Sequence, residues 1–192
     1  MSEIVSEGPL EGVIAAARQA PGRGLPPVHL WNPPHSGEID IVIRSDGRWV
    51  HEGATIHREA LVRLFSTVLR KDPVGYWLVT PVEKMKIRVE DAPFLAIRLD
   101  RRVDAEGAAQ LVFQTNVGDE VLAGPDHAIR VEVDAQSGEP RPYLHVRRGL
   151  EALIARPVFY ELVDMAETRD GVLGVASGGA WFPLDGTGAS PP

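Results

Sequence analysis

Apolar residues recur along this chain with two periods, and the switches between the periods mark its elements. Ile39, Ile41 and Ile43 alternate with polar neighbours, which predicts a half-buried strand. Ser45-Asp46-Gly47 is a turn signal, so Trp49 falls on the return strand of a hairpin. Thr55 is a candidate helix cap, with Glu59 in the first turn. Leu61, Leu64, Phe65, Val68 and Leu69 then recur at helical spacing. They predict an amphipathic helix over Arg58–Arg70, stopped by Asp72-Pro73. Tyr76–Thr80 reads as a strand. In the next strand Met85, Ile87 and Val89 oppose Lys84, Lys86, Arg88 and Glu90.

Before this block, Gly12–Gln19 predicts a short helix that Pro21-Gly22 ends. Leu25–Pro34 is expected to be extended, with Trp31 packed on a neighbour. After it, strands are predicted around Leu95–Leu99, Leu111–Thr115, Glu120–Leu122, Ile129–Val133 and Tyr143–Val146. A short helix is predicted over Arg148–Ala155, closed by Pro157, with a further strand or a continuation of that element over Val158–Val163. Val172–Ala176 and Trp181–Leu184 suit a last hairpin, and Gly186–Pro192 a flexible tail.

Two regions share one pattern. Ile41-x-Ile43, Ile56-x-Arg58, Leu61-x-x-Leu64 and Tyr76-x-Leu78-Val79 reappear as Val131-x-Val133, Val146-x-Arg148, Leu150-x-x-Leu153 and Tyr160-x-Leu162-Val163. The predicted fold is therefore α+β: two similar subdomains from an internal duplication, with mostly antiparallel sheets and one packed helix each. Such an arrangement creates an interdomain interface, a favoured place for a ligand.

Composition narrows the function. The 192 residues carry a net charge of −7, which disfavours nucleic acid and anionic membranes as partners. With no cysteine there is no disulfide, thiolate metal site or cysteine nucleophile, as suits a cytoplasmic protein. The first residues lack the pattern of a secretory signal, and no apolar run is long enough for a membrane helix. No nucleophile elbow, phosphate loop or dinucleotide motif is present. His51-Glu52 begins a zinc-protease motif that Thr55 breaks, and the six histidines are scattered, so no metal and no cofactor are expected.

The charge is uneven. His57–Arg102 holds ten basic and six acidic side chains, net +4, whereas the remainder is net −11. Lys84, Lys86 and Arg88 form a row about 6.7 Å apart, spaced to hold an anion or to face solvent. Arg58 and Arg148 stand at equivalent places in the repeat, against the dipole of a predicted helix, and call for a carboxylate or a ligand anion. Glu83 and Asp91 are the carboxylates on which acid–base chemistry would rest. Trp49 and Phe94 supply planar rings for stacking or for the core.

Longer strings carry a resemblance. Leu25-Pro-Pro-Val28, Trp31-Asn-Pro33, Asp46-Gly-x-Trp49, Leu78-Val-Thr-Pro-Val-Glu-Lys84, Val89-Glu-Asp-Ala-Pro-Phe94 and Thr115-Asn116 resemble the bacterial domain-of-unknown-function family 1285. The resemblance runs over about Leu25–Leu184. It implies a duplicated core with a pleckstrin-homology-like C-terminal half, a nucleotide-like ligand at the interdomain interface and a role in signal transduction. It assigns no catalytic residue.

The expected organisation is a helix and linker over residues 1–24, a first subdomain over 25–84, a second over 85–185 and a tail over 186–192. The expected function is binding of a small anionic, nucleotide-like ligand by Trp49, Arg58, Lys84, Lys86, Arg88 and Phe94. The alternatives are a protein-interaction module without a small ligand and an enzyme using Glu83 and Asp91.

Overall fold

The computed structural model describes residues 12–15 and 24–188. Residues 12–15 are helical, with Val13 buried. The rest of the predicted 12–19 helix, and residues 189–192 of the tail, lie outside the described residues.

The chain divides into two compact units, Met1–Glu90 and Asp91–Pro192. The division lies beyond the expected 84/85 bound, which would cut through the strand Glu83–Val89. That strand is central to the first sheet, and severing it would orphan hydrogen bonds on both of its edges.

The first unit contains β1 (His35–Ile43), β2 (Trp49–His51), β3 (Ala54–Thr55), α1 (Glu59–Thr67), β4 (Leu69–Asp72), β5 (Gly75–Val79) and β6 (Glu83–Val89). Its sheet runs β3-β2-β1-β6-β5-β4. The strands form two antiparallel meanders joined through a parallel pair, β1 with β6. A parallel pair needs a long connection, and here that connection contains α1.

Two local expectations fail in this unit. Thr55 pairs with Val50 in β3 instead of capping a helix, and Arg58 holds the cap position without a side-chain bond. The helix stops at Thr67, three residues early. Leu69 begins β4 and pairs with Leu78, while Val74 lies in a tight turn with Pro73. Val68 and Leu69 are buried as predicted, but a hairpin buries them. Their β-branched and strand-compatible neighbourhood follows the sheet as soon as a partner strand is present. The core of the unit is the Trp49–Phe65 stack, with centroids 6.0 Å apart, set among Ile41, Ile43, Leu69 and Leu78.

The second unit contains β7 (Phe94–Val103), β8 (Ala109–Thr115), β9 (Glu120–Leu122), β10 (Ile129–Val133), β11 (Pro140–Arg147), β12 (Leu150–Ile154), α2 (Arg156–Asp164), β13 (Glu167–Arg169), β14 (Val172–Ser177) and β15 (Ala180–Pro183). Its main sheet runs β10-β11-β12-β7-β8-β9, and β12 is parallel to β7. The sheet order repeats that of the first unit, so the chain has two similar α+β subdomains. The C-terminal one completes six strands before its helix.

The residue register of the repeat is corrected. The sequence pattern matched residues 41–43 with 131–133, which lie in β10, whereas the topology makes β7 the counterpart of β1. The helix expected over Arg148–Ala155 is a turn followed by β12. Leu150, Ala152 and Ile154 point inward with period two, a pattern that also satisfies helical spacing at 150, 153 and 154. Pro157 opens α2 instead of closing a helix, because its fixed φ and missing N–H suit a first turn. In β7 a bulge between Ala96 and Arg98 leaves Ile97 49% exposed, contrary to the predicted alternation.

A third sheet, β13-β14-β15, belongs to the second unit only. Ser177 anchors it. The buried hydroxyl accepts from the Leu111 amide at 2.8 Å and donates to the Ala123 carbonyl at 2.7 Å. Gly178, with φ +54°, lies so close that a Cβ would meet the Ala123 oxygen at 2.6 Å. Gly186, with φ +84°, lies close to Val133 in the same way, a Cβ there meeting its Cγ2 at 2.8 Å. Among the described residues no helix is long and apolar enough to cross a membrane.

Candidate functional site

The residues singled out from the sequence separate. Trp49 is 1% exposed, with one ring face taken by Phe65. Phe94 is also 1% exposed and belongs to the other unit, where the Arg147 guanidinium lies over its ring at 4.8 Å. Neither ring is open to a dissolved ligand, so both are corrected from stacking platforms to core. The indole N–H groups of Trp49 and Trp77 are buried without an acceptor among the described residues.

The basic row does form on β6, but its charges are treated unequally. Arg88 pairs with Asp40 at 3.1 Å, and Glu38 lies opposite Lys86 on β1. Lys84 places its ammonium 4.6 Å from the Trp77 ring centroid. Arg58 is exposed at the start of α1, and Arg148 is exposed in the β11–β12 turn. Glu83 falls in the first unit and Asp91 in the second.

A concave site lies wholly within the second unit. A cleft of about 580 Å³ opens between the β10–β11 hairpin and the start of α2. That volume is within the range of small-molecule sites. Leu95, Pro142, Leu153, Ile154 and Phe159 give it apolar walls. β11 runs on past the last residue of β12 that it pairs with, Leu153, while the chain turns away into α2 after Ile154. The gap between the continuing strand and the departing helix is the cleft.

Its rim is charged. Arg156 faces Glu139 across 3.4 Å, and both side chains are largely exposed, so the pair is weak and readily exchanged. Tyr160 is 58% exposed at the same rim. The opposite corner is built more firmly. Arg141 donates to Asp91 Oδ2 at 2.6 Å and to the Tyr143 hydroxyl at 3.2 Å, while Tyr143 donates to Asp91 Oδ1 at 2.8 Å. Burial and the Asp91 carboxylate push the Tyr143 phenol up to about 12. Arg130 lies 4.3 Å from the Tyr143 ring centroid and makes two hydrogen bonds to Glu151 and one to Glu132. The hairpin tip is stiffened by Asp134, whose Oδ1 accepts from the amides of Gln136 and Ser137 and from the Ser137 hydroxyl. These bonds, the Ser137 amide first, hold its carboxyl below the usual range.

Sequence reasoning passed over Arg141, Arg156, Leu153 and Phe159. One signal for them was present: the two Arg-Pro dipeptides, Arg141-Pro142 and Arg156-Pro157, fall on the two sides of the cleft. Among the described residues no group of three metal-ligating side chains converges.

Comparison with known proteins places the chain. Residues 26–92 match the N-terminal domain, and residues 93–184 the C-terminal domain, of a protein family of unknown function, DUF1285. The crystal structure of a DUF1285 family protein from Silicibacter pomeroyi DSS-3 is 48% identical. It superposes with a TM-score of 0.82 over 92% of this chain and 96% of that one. A DUF1285 family protein from Shewanella baltica OS155 is 26% identical, with a TM-score of 0.50 over 65% of this chain and 90% of that one. A search of curated proteins gives no match. With both domain models matched in order and nearly half of the residues shared with a solved member, this chain belongs to the DUF1285 family.

Proposed function

We propose that the chain is a non-catalytic, cytoplasmic binding module for a small anionic ligand with an apolar or planar body, such as a nucleotide-like molecule. The observation that carries this reading is the cleft of the second unit, with apolar walls and the exchangeable Arg156–Glu139 pair at its mouth. The walls remove the body of the ligand from water, and Arg156 takes its anion in place of Glu139. The exposed Tyr160 ring is available for stacking. A protein whose occupancy matters more than any turnover suits a role in signal transduction.

The basic row supports a second placement of the same ligand. Lys84 and Lys86 have no ion pair among the described residues, and Trp77 lies between them and β4. The reading as a protein-interaction module needs no small ligand at either place. The enzyme reading is weakened by Asp91, whose two oxygens are already taken by Arg141 and Tyr143.

A thermal-shift screen of nucleotides, cyclic dinucleotides and sugar phosphates tests the proposal. A ligand at 100 times its Kd stabilises the fold by about 2.7 kcal/mol. For a true hit, Arg156→Ala should weaken affinity about tenfold, the loss of one charge-assisted bond. Lys84→Ala and Arg88→Ala should leave it unchanged. The opposite pattern moves the ligand to the β6 row, and a screen without hits removes the small-ligand reading.

A further inference from the structure

The second unit also contains a pair of histidines, outside the cleft, that differ in what a proton does to them. His145 on β11 uses both ring nitrogens on backbone groups. Its Nδ1–H donates to the Asp126 carbonyl at 2.8 Å, and its Nε2 accepts from the Gly149 amide at 3.1 Å. A carbonyl can only accept and an amide can only donate, so this geometry fixes one neutral tautomer. His127 stacks on His145, with ring centroids 6.0 Å apart, and donates from Nδ1 to the His145 carbonyl at 3.1 Å. Its bond survives protonation, because only Nε2 gains a proton. The His145–Gly149 bond does not survive, because Nε2 would then point an N–H at another N–H.

We propose that His145 is a pH-sensitive staple. In its neutral form it ties the β9–β10 turn at Asp126 to the β11–β12 turn at Gly149, and it releases the second turn when protonated. That turn needs holding, because Arg148 and Gly149 sit at φ 46° and 75°, and the left-handed region is costly for an arginine. The charged surroundings do not remove the conflict. Across the sheet His145 faces Glu151, whose carboxylate is engaged by Arg130. On its own strand Tyr143 is engaged with Asp91, and Arg147 with Asp119. Asp126 and His127 face it from the β9–β10 turn, and Arg148 from the β11–β12 turn. A proton on Nε2 also brings a cation toward the stacked His127 ring.

The test follows the Gly149 amide in the full chain by nuclear magnetic resonance from pH 8 to pH 5, the range in which imidazoles charge. After correction for intrinsic exchange, Gly149 protection should fall about fivefold on acidification, as expected for one lost hydrogen bond. The amide shift should move together with the His145 ring signals. His145→Gln supplies an oxygen acceptor that does not titrate, and should make Gly149 insensitive to pH. His127→Asn retains a donor in place of Nδ1, and should leave the transition intact. Gly149 protection that stays constant while the His145 ring charges would overturn the proposal. So would a His145 ring that takes up no proton by pH 5, or a transition lost in His127→Asn and kept in His145→Gln.

Discussion

The N-terminal unit places its helix between its two meanders, whereas the C-terminal unit completes both meanders first and appends the helix to the last strand. The two main sheets otherwise share one order, with a parallel pair at the centre. The cleft of the second unit follows the placement of its helix, whereas the first unit's recess of about 460 Å³, along Glu38, Asp40, Lys86 and Arg88, does not involve α1. In the first unit α1 leads into β4, and Phe65 fills the space over Trp49. In the second unit α2 leaves directly from the central strand β12 while β11 continues, and the divergence opens a concave site. The same sheet order thus accompanies a filled core in one unit and an open cleft beside the helix in the other.

Phe65→Ala should cost about 3–5 kcal/mol, because it empties a fully buried site and unstacks Trp49. Phe159→Ala, at the wall of an already open cleft, should cost clearly less in the same denaturant titration. Equal losses would mean that the two helices seal their sheets alike.

A smaller effect tests the sheet that only the second unit has. Ser177→Ala removes two of the bonds that fasten the third sheet to β8 and to the residue after β9, the Gly178 amide keeping its bond to the Ala109 carbonyl, and leaves a buried amide and carbonyl unsatisfied. A loss of about 1–3 kcal/mol is expected. A neutral result would show that this sheet is fastened by its apolar contacts.

The smallest effect concerns pH and the clamp beside the cleft. Tyr143 is raised from its ordinary value of 10 to about 12, so the neutral phenol is the form that the fold prefers. Its contribution is complete below pH 10 and is lost as pH rises through about 12. Between these limits the wild type should lose stability that Tyr143→Phe does not lose further. Parallel stability curves for the two proteins would show that Asp91 does not depend on the phenol.

Much of this was legible in the chain. Alternation marks most strands, though not β3, β4, β12 or β13, and Asp46-Gly47 marks its hairpin because a two-period pattern on each side leaves few other readings. The rest needed partners in space. Leu150–Ile154 satisfies both a helix and a strand pattern, and only pairing with Phe94–Ala96 on β7 decides between them. Thr55 has the chemistry of a cap, yet Val50 across the hairpin claims its backbone for β3. The basic row falls on one strand face as expected, but the pairing of Arg88 with Asp40 depends on a parallel neighbour nearly fifty residues away. The cleft was hidden for the same reason: its walls come from four elements, and no local period records where one strand outlasts its partner.

The sequence by itself determined the composition of the core, the family and the α+β class, because burial patterns and turn chemistry are local. The tertiary structure decided the order of the strands, the register of the repeat, which arginines are occupied and where the cleft lies. Those properties depend on hydrogen bonds and ion pairs between residues far apart in the chain, which become definite only when the sheets close.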